Sequence, residues 1–159
     1  MNTNRKAWLT GLFLLSHALV VGCQAPAEEE AAMEVPRSGL YQASELALTM
    51  RDMAKDMETL RAKADEGTLT VEEVEALMQT HQTMATDAPT KPSDIKPSFA
   101  GYSEAYLDQL EELRASIERQ DSREERLTAF NAAIGTCVAC HQEHCPGPIS
   151  RIQKIKVQP

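Results

Sequence analysis

Between residues 45 and 145, apolar side chains return at steps of three and four, and each run has a recognisable start or stop. The first run, Leu46, Met50, Met53, Met57 and Leu60, is one stripe of an amphipathic helix, which Gly67 closes as a C-cap. Thr70, three residues before Glu73, makes a capping box for a second helix carrying Val71, Val74, Leu77, Met78 and His81. Pro89, Pro92 and Pro97 turn residues 87–102 into a loop. A third helix carries Tyr106, Leu107, Leu110, Leu113 and Ile117. Ser122 and Glu125 form another capping box, opening a fourth helix with Leu127, Phe130, Ile134, Cys137 and His141 before "PGP" stops it. Two short connections and one longer one predict an all-α, antiparallel up-down-up-down four-helix bundle over residues 39–145, with a tail at 146–159. In that topology the end of the fourth helix lies beside the early part of the first, and His141 points inward.

Composition supports helices. Aromatic residues make up 4% and glycine is scarce, while Ala, Glu, Leu, Met and Gln are plentiful. The formal charge of −8 excludes a nucleic-acid binder, since no basic patch is available to meet phosphates.

Residues 1–22 read as an export signal, with a basic n-region holding Arg5 and Lys6 and an apolar h-region too short to span a membrane. It runs into "LVVGC", which resembles a bacterial lipoprotein signal. The resemblance implies cleavage before Cys23, lipidation of Cys23 and an anchor facing the periplasm, with the outer membrane favoured by Gln24. The other reading is an ordinary secretory signal cut a few residues later. Residues 23–38, with charge, Ala and Pro but no apolar period, form a flexible tether.

The densest chemistry lies in "GTCVACHQEHCPGP", where Cys137, Cys140, His141, His144 and Cys145 fall within nine positions. Within it, "CVACH" is the pattern for covalent c-type haem attachment. Two thiols three residues apart can add to two vinyl groups, and the following histidine is placed to ligate iron. Such attachment happens outside the cytoplasm, in agreement with the export signal. Zinc is a weaker reading, because nothing remote supplies a second cysteine pair. A redox-active CxxC would suit a helix start in a βαβ context, which is missing here.

A four-helix bundle with CxxCH near its C-terminal end resembles the class II cytochromes c, the cytochrome c prime group, over about residues 39–145. The resemblance rests mainly on Cys137, Cys140 and His141. It implies one haem c, His141 as proximal ligand, and a sixth position facing the first helix. A Met there implies a one-electron carrier, and Leu or Phe a five-coordinate gas-binding protein. Met50 best matches the haem-facing position, with Met53 as the fallback. The tail departs from the family, and Arg151 in it is a candidate partner for the haem propionates.

No convergent carboxylates or activated nucleophile point to an enzyme. The expected partners are a redox protein with a basic docking patch, a membrane through the lipid anchor, and in some settings a second copy of the chain. His81 is expected near the surface. Cysteine arithmetic leaves Cys145 without an intrachain partner: a free thiol, an intermolecular disulfide, or, favoured here, a buried thiol under a folded-back tail.

Overall fold

The computed structural model describes residues 42–158, so the export signal, Cys23 and the tether lie outside the described residues. Everything described belongs to one compact unit, Leu40–Pro159. Its regular structure is all helical: Glu45–Glu66 (α1), Val71–His81 (α2), Phe99–Glu118 (α3), Arg123–His144 (α4) and Ile149–Gln153 (α5), with short 3-10 turns at Gln82–Ala85 and Pro92–Asp94.

The predicted caps are present as atoms. Thr70 and Ser122 each accept from the backbone three residues on, while Glu73 and Glu125 reach back to the cap backbone, so both capping boxes are complete. Gly67 sits at φ +73°, and its N–H closes on Ala64 and Lys63 carbonyls. That left-handed conformation is the reason for glycine here, since a Cβ would meet only ordinary contact but would strain the backbone. One boundary differs from expectation. Helix α3 already begins at Phe99, inside the predicted loop, because Phe99, Ser103, Tyr106 and Leu110 continue one inward face back towards Pro97.

The core takes the predicted stripes almost residue for residue. Met53 and Met57 of α1, Val74 and Leu77 of α2, Tyr106, Leu110 and Leu113 of α3, and Leu127, Phe130 and Ile134 of α4 are buried together. Each such large side chain contributes ~1.5–3 kcal/mol by leaving water.

Polar ties fix how the elements meet. Arg123 at the start of α4 bonds the carbonyl (2.6 Å) and carboxylate of Asp65 at the end of α1, and Arg126 reaches the Gly67 carbonyl at 3.3 Å. At the other end of α1, the Leu46 N–H donates to the Ala88 carbonyl, and Thr49 Oγ1 to Asp87.

The C-terminal residues are the main correction to the sequence reading. They are no loose tail: Ile152, Ile155 and Val157 are buried in the same core. Asn131 of α4 holds Val157 at both backbone groups, donating to its carbonyl (2.7 Å) and accepting from its N–H (2.9 Å). The i, i+3 recurrence of Ile149, Ile152 and Ile155 was the available signal.

Candidate functional site

Helix α4 changes character halfway along. Through Ile134 it has one buried and one exposed face, but every residue from Gly135 to His141 is half-buried. Residues all round a helix become half-buried when it borders a recess in the fold, and one lies there. A cavity of about 570 Å³ opens among α1, α3, the last turns of α4, α5 and the loop before α3. That volume falls in the ~300–1,000 Å³ range of small-molecule and cofactor sites.

Cys137, Cys140 and His141 all line this cavity. Their i, i+3, i+4 spacing puts them on one face of α4. No disulfide joins the cysteines of the described residues; Cys137 and Cys140 are free thiols facing the cavity. Burial, reinforced by Cys140, pushes the Cys137 thiol up to about 12, and burial with the nearby Glu143 charge pushes Cys140 up to about 11.

His141 has its tautomer fixed. Its Nδ1 lies 2.7 Å from the Cys145 carbonyl oxygen, which can only accept, so Nδ1 carries the hydrogen and donates. Nε2 is therefore left with a free lone pair, the arrangement by which a backbone carbonyl orients a metal-binding histidine. Cys145 thus contributes through its backbone. Its side chain is exposed rather than buried under the tail, because the turn after it carries α5 away to pack on α1 and α4.

His144 has other work. The Lys96 N–H donates to its Nδ1 at 3.2 Å, its Nε2 lies 3.3 Å from Ser98 Oγ, and that hydroxyl donates to Glu143 at 2.7 Å. The rings of Phe99 and Tyr102 stand edge-on to it. With both nitrogens engaged, His144 ties the loop to the end of α4. The Ser98 hydrogen bond in turn keeps the Glu143 carboxyl below its usual range.

The wall supplied by α1 carries three thioethers. Met50, Met53 and Met57 all line the cavity, but Met53 and Met57 are packed in the core while Met50 is half-buried. Arg151 also reaches the cavity, yet its guanidinium forks onto Glu58 of α1 at 2.8 and 3.1 Å and holds that carboxyl below its usual range. Glu58 takes Nε and Nη2, so any further carboxylate would have to share the guanidinium through its remaining N–H groups. Arg51 and Lys91 line the same cavity and form no ion pair among the described residues.

One buried group went unrecognised in the sequence. His81 is 2% exposed, its Nδ1 2.8 Å from the Tyr106 hydroxyl and its Nε2 3.2 Å from Asp56 Oδ2. Its place in the stripe Val74, Leu77, His81 was the signal of burial; its partners on two other helices left none.

Among the described residues, no three His, Cys, Asp or Glu side chains gather as a metal-holding group, and no helix is long and apolar enough to cross a membrane. No known protein family, curated protein or solved structure matches the chain.

The thiols should separate by reactivity. At pH 7, a pKa near 11 leaves about one Cys140 in 10,000 as thiolate, and Cys137 fewer still. Exposed Cys145 is expected to take a thiol reagent at least tenfold faster than either, read by peptide mapping of a labelling time course. Equal rates would show that the wall around Cys137 and Cys140 is open.

Proposed function

We propose that this chain is a covalent haem c-binding protein, similar to the class II cytochromes c, that carries single electrons at the periplasmic face of a membrane. One observation carries the reading: both thiols and the histidine of "CVACH" line the same large cavity, with three methionines of α1 on its wall. The antiparallel bundle order belongs to this proposal. It is supported by the ties between the end of α1 and the start of α4, and between the start of α1 and the segment after α2.

The donor set fits the group. Two free thiols stand at attachment spacing, an imidazole has its Nε2 lone pair available, and the walls are mostly hydrocarbon and thioether. Magnitude favours a bulky apolar occupant. A space of 570 Å³ with a mainly apolar lining lies in the size range that takes a ring-sized ligand. Water is a poor filler where few polar partners face inward.

When bound, a haem would supply a reversible one-electron couple, whose potential is set by axial ligands and burial. The protein's residues do the rest. Cys137 and Cys140 would hold the group covalently, the Cys145 carbonyl holds His141 in the tautomer that can bind a metal, and Met50 would offer its sulfur from α1. The apolar walls exclude water, which keeps the environment's rearrangement small when charge changes.

Cys23 as lipid attachment point and an outer-membrane anchor complete the proposal, together with an acidic body that docks a basic redox partner. The test is expression with c-type maturation, followed by spectra of both redox states and a haem stain after denaturing electrophoresis. We expect one covalent haem per chain and a low-spin reduced spectrum that CO barely changes. A high-spin reduced form that binds CO strongly would replace the carrier with a gas-binding protein, and stoichiometric zinc without haem would overturn both.

A further inference from the structure

Outside the attachment motif, the most unusual group in the molecule is His81. It is the only histidine or formally charged side chain buried among the described residues. Most buried polar groups serve local structure, and a histidine between two partners could do no more than that. Its position argues for more. Asp56 on α1, 44% exposed, touches it from the solvent side, and Tyr106 on α3, 3% exposed, touches it from the other. Tyr106 is also a wall residue of the cavity. The chain Asp56–His81–Tyr106 therefore runs from water to the space the haem would occupy.

The hydrogen positions follow from the partners. A carboxylate can only accept, so Nε2–H donates to Asp56, and Nδ1 accepts from the Tyr106 hydroxyl. This neutral ring has one open move, protonation at Nδ1. The imidazolium would still donate to Asp56, would now also donate to the Tyr106 oxygen, and would free the tyrosine hydrogen to turn elsewhere. Asp56 and Tyr106 thus remain partners of the ring in both states, while protonation turns the Tyr106 hydrogen away from it.

We propose that His81 is the proton-binding site of a proton-coupled electron carrier: one electron entering the cavity draws one proton from water onto His81 Nδ1. The inference rests on the haem reading above. The electron comes from a one-electron donor protein and the proton from solvent on the Asp56 side, so the added negative charge is offset inside the core. No bond other than N–H forms.

The groups facing His81 give the direction. Burial holds its pKa below the usual histidine range, partly offset by Asp56; Tyr106 and, beyond it, Cys137 complete its titratable surroundings. Added negative charge in the cavity raises a nearby base's pKa. The reduced protein then binds a proton that the oxidised protein does not, in the window between the two pKa values. There the midpoint potential rises as pH falls, tending towards a tenfold change in the equilibrium per pH unit, ~59 mV for one electron.

The experiment is spectroelectrochemical titration of the haem-loaded protein from pH 5 to 8, beside His81→Gln, Asp56→Asn and Tyr106→Phe. The wild type should show the sloping window and His81→Gln a flat line. Asp56→Asn alters a half-exposed side chain and spares the fold; it should move the window to lower pH, because the carboxylate no longer favours the imidazolium. Tyr106→Phe keeps the ring volume and should displace the window too. A flat wild type, or an equal slope in His81→Gln and an unmoved window in Asp56→Asn, overturns the coupling and leaves the haem reading standing. A chain that carries no haem overturns both, and the haem stain tells the two failures apart.

Discussion

Replacing Cys137 and Cys140 together by alanine is expected to remove the covalent haem entirely, with the haem stain of a denaturing gel falling to background. Among the described residues, the two thiols are the only cysteines lining the cavity besides Cys145, whose side chain is exposed and lies beyond the end of α4. Neither loss can be made good from elsewhere in the core. Either single variant should retain a reduced stain through its remaining thioether, because each thiol lies on the cavity wall independently. Stability should follow attachment. A chain unable to hold its occupant must either wet the apolar walls or let α1 and α4 close in, and both forfeit packing. The urea midpoint of the double variant should therefore fall well below that of the loaded protein, with helix content by circular dichroism largely kept. Undiminished stain in the double variant would place attachment outside "CVACH" and remove the basis of the functional reading.

Local rules of the chain were legible because local geometry decides them. Gly67, the Thr70–Glu73 pair and the Ser122–Glu125 pair mark their helix ends in sequence as they do in space. The stripes were equally readable, since a period of 3.6 leaves few choices for which face goes inward. What failed depends on partners remote in the chain. Nothing near Arg151 in sequence announces that Glu58 will claim its guanidinium. Nothing around Cys145 says that its carbonyl, rather than its thiol, belongs to the site. His81 lay on a predicted apolar stripe, yet its polarity argued for the surface until Asp56 and Tyr106 satisfied both nitrogens. The segment after "PGP" looked like a tail because its helix is only Ile149–Gln153, so the recurrence of Ile149, Ile152 and Ile155 is too brief to stand out, and its burial depends on Asn131.

The cavity itself was also beyond sequence reasoning. Cys137 and His141 continue the core stripe of α4, and a continued stripe ordinarily means continued packing. Here the stripe passes from tight contact at Phe130 and Ile134 to a half-buried wall from Gly135 onward. The apolar pattern is the same on both sides of that change, and the proposed haem would demand the same kind of surface as a neighbouring helix. Only the spacing of Cys137, Cys140 and His141 distinguishes them.

If Met50 is the sixth ligand of the proposed haem, replacing it by leucine is expected to leave the iron five-coordinate, with a high-spin reduced spectrum and CO binding that Met50 ligation would suppress. Three methionines share the wall, so the choice among them rests on packing. Met53 and Met57 are 6% and 2% exposed, locked among core neighbours, and methionine in such places is commonly a flexible filler. Met50 is only half-buried and has cavity on its free side, so its thioether can turn inward without unpacking the core. It also stands a turn nearer the start of α1, the end that the loop before α3 closes over through Ala88 and Asp87. Leucine conserves volume closely, so the fold should survive and any spectral change reports ligation. Because a methionine ligand raises the potential of a histidine-bound haem, the midpoint should fall in Met50→Leu. Met53→Leu should leave spectrum and potential nearly unchanged. The opposite pattern would move the sixth ligand one turn along α1, and no change in either variant would mean that the iron takes no sulfur from this wall.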